Sequence, residues 1–271
     1  MLDHRLPVPP DIQKAQRQYL DYVVRWNSKL EAQGIMQTHR SVTLPLDEVF
    51  VRLTCDTEKT DLEPLKRRLE KSKLGIVETP GLSAMSSSDN EFLEDWLLAE
   101  HLSAVVQPED VDLPRVITYH RQVVILGDPG SGKTTLMRFL ALHFAREVRD
   151  RGPHGIVTDK DGQTYGSARF PILIRISTYA EELRLNHNTS FREFLTVPFG
   201  DTGIELPVLK RIFDQVLQDG EALVLLDGLD EVTEFRDRIL ISQRIASFVS
   251  AVSPRNHFVV TSRIAGYQVA R

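Results

Sequence analysis

The sequence predicts an α/β protein in which a mostly parallel sheet is flanked by helices and preceded by a mainly helical N-terminal region. From about residue 113, short apolar runs alternate with segments of helical periodicity, which is typical of parallel strands joined by helical crossovers. The runs are apolar throughout, as expected for strands that helices cover on both faces. We therefore divide the chain into an N-terminal region, residues 1–112, and an α/β core, residues 113–271.

The N-terminal region opens with an amphipathic helix, predicted over residues 11–33. Its apolar side chains recur at steps of three and four, and the aromatic ones, Tyr19, Tyr22 and Trp26, are expected to pack on the core. The region contains no nucleophile–base pair, no metal-ligand spacing and no glycine-rich loop. We therefore expect it to carry no catalytic activity of its own.

The remaining predicted elements follow one another along the chain. In the N-terminal region, a short strand is predicted at residues 49–54, a loop or linker at 79–90 and a helix at 89–106. In the core, strands are predicted at residues 123–126, 172–176, 223–226 and 258–260, helices at 134–150, 206–219 and 236–252, and a surface loop at 151–168.

Composition and charge argue against several classes of protein. The 271 residues are 41% hydrophobic and carry a formal net charge of −5, which provides no general attraction to nucleic acid or an anionic membrane. There is no apolar run of 18 residues, and the first residues lack the apolar stretch of a secretory signal. One cysteine, Cys55, permits no internal disulfide, and the histidines have no zinc-binding spacing. We expect a cytoplasmic protein.

A glycine-rich loop joins the first core strand to the first core helix. Residues 127–134, GDPGSGKT, fit the pattern G-x-x-x-x-G-K-[ST] in the strand–loop–helix context that this motif requires. Glycines let successive backbone N–H groups point into one concavity, and the helix adds its positive end. Lys133 is expected to reach the β- and γ-phosphates of a nucleotide, and Thr134 to offer its hydroxyl to Mg²⁺. The predicted binding residues are Gly127, Asp128, Pro129, Gly130, Ser131, Gly132, Lys133, Thr134 and Thr135.

Three carboxylates follow the third core strand in the segment EALVLLDGLDEV. Asp227 ends the strand, and an acid at the carboxyl end of a parallel strand lies where such sheets bind ligands. Asp227 therefore suits a magnesium site, together with Thr134. Asp230 and Glu231 lie beyond the strand, and the three carboxylates repel one another unless a cation or separate geometry relieves them.

The fourth core strand ends in the segment HFVVTSR. Its last residue, Arg263, is predicted to contact the γ-phosphate and to stabilise charge during phosphoryl transfer.

These segments together resemble the NACHT module of the STAND-type signal-transduction NTPases, which have a P-loop NTPase core. The resemblance rests on VVILGDPGSGKTTLMRFLA, PILIRIS, ALVLLDGLDEV and FVVTSRIAGY, of which the DGLDE form of the Walker B motif is the most specific. It implies an ATP- or ADP-bound switch that rests as a closed monomer and oligomerises with ATP, and bacterial members are often linked to antiviral defence. It also implies that the Walker A residues hold phosphates and Mg²⁺, that Asp227 completes the metal site, that Asp230 and Glu231 position or activate water, and that Arg263 reads the γ-phosphate.

The sequence departs from this family at its C-terminal end. Family members continue into a last core strand, a small helical domain and a winged-helix domain, whereas this chain stops eight residues after Arg263. The missing strand flanks the Walker A strand in the family's sheet, so we expect residues 123–126 to form an apolar edge. On this reading the chain is a fragment or a shortened gene copy.

Two functions remain open at this point. The retained Asp230, Glu231 and Arg263 favour an ATPase, a slow hydrolase in this fragment, with nucleotide and other copies of the parent protein as partners. The missing partner domains favour a regulatory scaffold that holds ADP or ATP with little turnover. An ABC transporter ATPase is disfavoured because no LSGGQ-like signature occurs, and a small-molecule kinase is disfavoured by the tandem acids.

Overall fold

The computed structural model describes residues 10–32, 42–50, 54–55 and 111–263. The strands are β1 (Lys29–Ala32), β2 (Val42–Pro45), β3 (Thr54–Cys55), β4 (Val111–Asp112), β5 (Gln122–Leu126), β6 (Ile156–Thr158), β7 (Thr164–Ser167), β8 (Phe170–Arg175), β9 (Ala222–Asp227) and β10 (His257–Ser262). The helices are α1 (Pro10–Asn27), α2 (Leu46–Val49), α3 (Leu113–Tyr119), α4 (Lys133–Arg151), α5 (Ile176–Leu185), α6 (Phe191–Phe194), α7 (Leu206–Asp219) and α8 (Phe235–Ala251).

The chain forms two compact units. Met1–Leu53 and Pro114–Arg271 make up the first, and Thr54–Leu113 make up the second. In the second unit, the described strands β3 and β4 pair antiparallel. Helix α1 belongs to the same unit as the α/β core, although the sequence assigned it to a separate N-terminal region. The predicted linker at 79–90 and the predicted helix at 89–106 lie outside the described residues.

The main sheet confirms the predicted α/β class, with a parallel sheet flanked by helices. Its described strands are all parallel and lie in the order β5–β10–β9–β8. The interior strand β9 is buried at every position, as its continuous apolar sequence requires. Among the described strands, β5 lies at one edge, where Leu126 is 40% exposed. The strand predicted at 172–176 ends at Arg175, because Ile176 begins helix α5.

The three predicted core helices are confirmed as α4, α7 and α8, with ends shifted by at most one residue. Helix α4 packs against β8 and β9, and its residues Leu136, Met137 and Leu140 are fully buried. Helix α7 has the clearest apolar face, because its buried residues recur at steps of three and four: Leu209, Ile212, Phe213, Val216 and Leu217.

Helix α1 packs on the core through two of its aromatic residues, Tyr19 and Tyr22, and the Tyr22 ring lies edge-on to Phe199 at a centroid distance of 6.3 Å. Tyr19 is fully buried, stacks on Phe170 at a centroid distance of 5.1 Å, and donates a hydrogen bond from its hydroxyl to the Pro171 carbonyl (3.0 Å). Burial raises the pKa of Tyr19 well above its ordinary value. The predicted packing of the aromatic face is therefore confirmed for Tyr19 and Tyr22. It is wrong for Trp26, which is 65% exposed and stacks on Tyr22 of the same helix.

The first helix also ends earlier than predicted. It stops at Asn27, whose buried side-chain amide donates to the Val23 carbonyl (2.8 Å), and the chain then enters β1, which pairs antiparallel with β2. Arg138 on α4 donates to the carbonyls of Trp26 (2.9 Å) and Lys29 (2.6 Å) across this end. These contacts come from distant residues, so the local periodicity did not reveal them.

Two further predictions are corrected. The loop predicted at 151–168 contains the antiparallel strands β6 and β7. Each strand buries one side chain, Val157 or Tyr165, which is too short a pattern to recognise in sequence. The strand predicted at 49–54 is also wrong at its start, since Val49 ends helix α2, whereas Thr54 is in β3 and residues 51–53 lie outside the described residues.

His257 begins β10 and is 9% exposed. Burial lowers the pKa of its imidazole from 6.5 to about 4, and the positive charge of Arg169 acts in the same direction, whereas a hydrogen bond with the Ile117 backbone opposes the shift. The unfolded chain therefore binds one more proton than the folded chain between about pH 4 and 6.5. Stability contributed by neutral His257 is present above this window and is lost as the pH falls through it.

We expect the midpoint of urea unfolding to fall as the pH is lowered from 7 to 5, and the fall to be smaller in His257→Gln, which has no imidazole to protonate. Exposed His187 provides the matched control, and His187→Gln is expected to follow the parent chain. Identical pH dependence in the parent and His257→Gln would contradict this assignment.

Candidate functional site

The carboxyl ends of the parallel strands bring the predicted residues to one edge of the sheet. Ser262 at the end of β10 lies opposite Leu126 at the end of β5, and Val260 lies opposite Leu226 on β9. The glycine-rich loop, Asp227 and Arg263 therefore all follow strand ends on the same side. This edge is where open α/β sheets bind ligands.

Strand β10 holds the start of the glycine-rich loop in place. The Gly127 N–H donates to the Ser262 carbonyl (3.2 Å), and a Cβ at Gly127 would lie 2.7 Å from the Ser131 hydroxyl. Gly130 and Gly132 have φ of 79° and 88°, in the left-handed region that side chains disfavour. Glycine at these positions is thus required by the loop conformation itself.

Helix α4 begins directly after this loop, at Lys133. Its N-cap, Gly132, provides no side-chain acceptor, so no capping side chain engages the first N–H groups of the helix. These groups and the positive end of a 19-residue helix make a site suited to an anion. Thr134 is exposed and Thr135 half-buried in the first turn.

Lys133 folds its side chain over the loop. Its Nζ donates to the carbonyls of Gly127 (2.6 Å) and Asp128 (2.9 Å), and lies 3.3 Å from the Ser131 hydroxyl. A lysine ammonium has three donors, and all three are directed at the loop here. The positive charge is thereby held at the loop that the sequence predicts to bind phosphates.

Asp227 is held by a threonine that the sequence analysis did not single out. The Asp227 side chain is buried, at 5% residue exposure, and its Oδ1 accepts a hydrogen bond from the Thr261 hydroxyl (2.6 Å). The same hydroxyl accepts a hydrogen bond from the Gly228 N–H (2.9 Å). Among the described residues, no donor contacts the other carboxylate oxygen, which leaves one oxygen for a ligand.

The two later acids lie on a tight turn after β9. Gly228 adopts the left-handed conformation (φ 81°, ψ 53°), and a 3₁₀ turn over Leu229–Glu231 follows. The Asp230 carboxylate accepts from the Arg263 backbone N–H (2.9 Å) and forms an ion pair with the Arg263 Nε (2.7 Å). Glu231, which is exposed, accepts from the Ser177 hydroxyl (3.1 Å).

Each of the three carboxylates thus contacts a different residue. These separate contacts offset the electrostatic repulsion among the carboxylates that the sequence predicted. The structure brings Asp230 and Arg263 into direct contact, whereas in the described part of the chain no hydrogen bond joins Lys133 to Asp227. Thr261 and Ser177 are the residues that sequence reasoning missed as functional. Their only sequence signal was a position at or just after a strand end, because their partners lie 34 and 54 positions away along the chain.

Within the described ranges, no group of three or more His, Cys, Asp or Glu side chains is placed to hold a metal ion by itself. The same residues include no helix that is long and apolar enough to cross a membrane.

A four-stranded parallel sheet flanked by helices, with a glycine-rich loop and a buried acid at its carboxyl edge, defines the class of this protein as an α/β domain. A family model described as Nephrocystin 3, N-terminal, matches residues 118–263, more than half of the chain. The chain belongs to this family. The match includes the loop, Asp227 with the acidic turn, and Arg263.

The chain is also similar to a protein of Nostoc sp. that is named as an uncharacterized WD repeat-containing protein. The two are 24% identical over 234 residues, which cover 83% of this chain and 12% of the Nostoc protein. The chain therefore spans about an eighth of the length of this relative.

We expect Thr261→Val to destabilise the fold by about 2–3 kcal/mol, because it leaves the buried Asp227 oxygen and the Gly228 N–H without their partner. Thr261→Ser keeps the hydroxyl and loses one buried methyl group, at a cost of about 1 kcal/mol. Urea unfolding measures both variants. A valine variant as stable as the parent chain would show that the hydroxyl does not support this edge.

Proposed function

We propose that the chain is a nucleotide-binding P-loop NTPase module of the NACHT type, which binds ATP or ADP with Mg²⁺ at residues 127–135. The observation that carries the proposal is the glycine-rich loop between β5 and α4, at the same sheet edge as buried Asp227. Phosphates are anions, and the loop offers backbone N–H groups, a helix N-terminus and a lysine ammonium.

The residues present fit the phosphate groups. A Cβ at Gly127 would displace the Ser131 hydroxyl, the N-cap of α4 adds no competing side chain, and Lys133 is already held at the loop. They also fit a magnesium ion that is bound mostly by phosphates and water, which needs only one or two protein oxygens. Thr134 and the uncommitted oxygen of Asp227 are the proposed sources. When bound, Mg²⁺ would neutralise charge on the phosphates.

The proposed reaction is slow ATP hydrolysis, with Glu231 as the carboxylate that orients or activates water. Glu231 is exposed and accepts one hydrogen bond, from the Ser177 hydroxyl (3.1 Å), so its carboxylate is accessible from solvent. The second candidate function is a regulatory module that holds ADP or ATP with little turnover. It is favoured by the ion pair of Asp230, which commits one of the two acids of the turn to Arg263.

We further propose that the chain is the switch module of a longer cytoplasmic signal-transduction protein that self-associates when ATP is bound, as in bacterial antiviral defence. Two observations support this. The Nostoc relative is far longer than this chain and is named for its WD repeats, which would suit the C-terminal sensing repeats of a NACHT protein. The described sheet also leaves β5 at an edge, where the NACHT resemblance implies a further strand.

The first test is nucleotide binding by the parent chain and Lys133→Ala, measured with a fluorescent ATP analogue and Mg²⁺. Removing the charged donor is expected to weaken binding by about 2–4 kcal/mol. Lys210→Ala removes an exposed lysine from helix α7, and we expect this control to bind as the parent does. Equal affinity of all three proteins would contradict the proposed site.

The second test separates binding from turnover. Glu231→Gln keeps the shape of the side chain and is expected to retain nucleotide affinity, while single-turnover hydrolysis slows on the order of 10²–10⁴-fold. Asp227→Asn is expected to weaken binding itself, with the loss depending on Mg²⁺. The control is Glu234→Gln, an exposed acid that precedes α8. Hydrolysis by Glu231→Gln at the parent rate would refute its role.

A further inference from the structure

The acidic turn contains one carboxylate whose surroundings differ from those of its neighbour. The Asp230 side chain is only 7% exposed, whereas the adjacent Glu231 is exposed. One Asp230 oxygen accepts from the Arg263 backbone N–H (2.9 Å), and the other contacts the Arg263 Nε (2.7 Å). A single residue therefore engages both oxygens, through its backbone and its side chain together.

This double contact leaves most of the guanidinium available. Arginine has five N–H donors, and the ion pair with Asp230 is made at Nε, the inner edge of the group. The Arg263 side chain is 53% exposed, and its terminal nitrogens donate no hydrogen bond to any described residue. The Asp230 carboxylate thus contacts the Nε side of the guanidinium. The two terminal nitrogens, which can bind phosphate oxygens bidentately, stay available to a ligand.

The turn that presents Asp230 is fixed from the same strand. Gly228, in the left-handed conformation, donates to Thr261, two residues before Arg263 on the chain. A Cβ at Gly228 would lie 2.8 Å from the Glu231 carboxyl carbon, so the turn is also closely packed. The hydrogen bond between Gly228 and Thr261 and the contacts between Asp230 and Arg263 therefore both join the turn after β9 to the end of β10.

We propose that Asp230 is a positioning residue for Arg263 and thereby sets the preference of this site for a nucleoside triphosphate over a diphosphate. The inference rests on the proposed function, and it replaces the predicted role of Asp230 in activating water. Both Asp230 oxygens contact Arg263 and the side chain is only 7% exposed, so Asp230 is less suited to orienting water than exposed Glu231 is. Arg263 is the residue that recognises the terminal phosphate, and Asp230 acts only through it.

The test is the ratio of the dissociation constants for Mg-ADP and the non-hydrolysable analogue Mg-AMP-PNP, measured by calorimetry with nucleotide-free protein. Asp230→Asn and Arg263→Ala are each expected to lower the preference for the triphosphate by about tenfold. The double variant is expected to match the single variants, because both changes remove the same interaction. The control is Asp237→Asn, which breaks the surface ion pair with Arg184 (3.7 Å) and is expected to keep the parent ratio.

Arg263→Lys keeps the positive charge, but its single nitrogen cannot both pair with Asp230 and provide the planar pair of terminal nitrogens that binds a phosphate bidentately. We expect it to lose the triphosphate preference as Arg263→Ala does, and this variant tests the proposal even where Asp230→Asn fails to fold. Three results would overturn this inference but not the proposed function. They are a parent-like ratio in Asp230→Asn or Arg263→Lys, additive losses in the double variant, and a parent chain with no preference for the triphosphate. A parent chain that binds neither nucleotide would overturn the proposed function and this inference with it.

Discussion

The parallel pairing of β9 between β8 and β10 is the constraint on which the rest of the structure depends. Strand β9 is buried at all six positions, so its register is fixed by apolar packing on both faces. Its last residue, Asp227, lies opposite Arg175 on β8 and is bonded by Thr261 on β10. Because parallel strands end at a common edge, one register brings the loop after β5, the acids after β9 and Arg263 together.

Strand β10 supports both halves of the candidate site. Its Ser262 carbonyl accepts from Gly127 at the start of the loop, and its Thr261 hydroxyl contacts Asp227 and Gly228. Thr261 is fully buried, where an unpaired hydroxyl or carboxylate is costly, so these polar groups must satisfy one another. A change at the end of β10 is therefore expected to move the loop and the acidic turn together.

Helix α4 connects this edge to the N-terminal segments of the same unit. It begins at the loop, and farther along, Arg138 binds the end of helix α1. On its outer side, His143 and Arg146 contact Asp47 at 2.9 and 2.6 Å. Partial burial acts to raise the pKa of Asp47, but the Arg146 guanidinium and His143 outweigh it and hold the pKa below its usual value. The helix that presents Lys133 is thus fastened along its length by residues before position 50.

The sequence by itself determined the class of the fold, the four core strands, the three long core helices and the position of the glycine-rich loop. Continuous apolar runs, helical periodicity and glycine spacing are local properties, so neighbours along the chain suffice to reveal them. It also indicated that Asp227, Asp230 and Arg263 lie at or just after the ends of core strands.

Only the tertiary structure decided which partner each polar group has. In the structure, Thr261 donates to Asp227, Arg263 contacts Asp230, and Ser177 donates to Glu231. The two members of each pair are 33 to 54 positions apart along the chain. The exposure of Trp26 was also decided by the tertiary structure. The helical pattern placed Trp26 in the core, but its side chain is exposed, whereas Tyr19 on the same helix is buried. Register, burial and pairing depend on the packing of distant segments, and no local pattern encodes the distance between two side chains that meet only after folding.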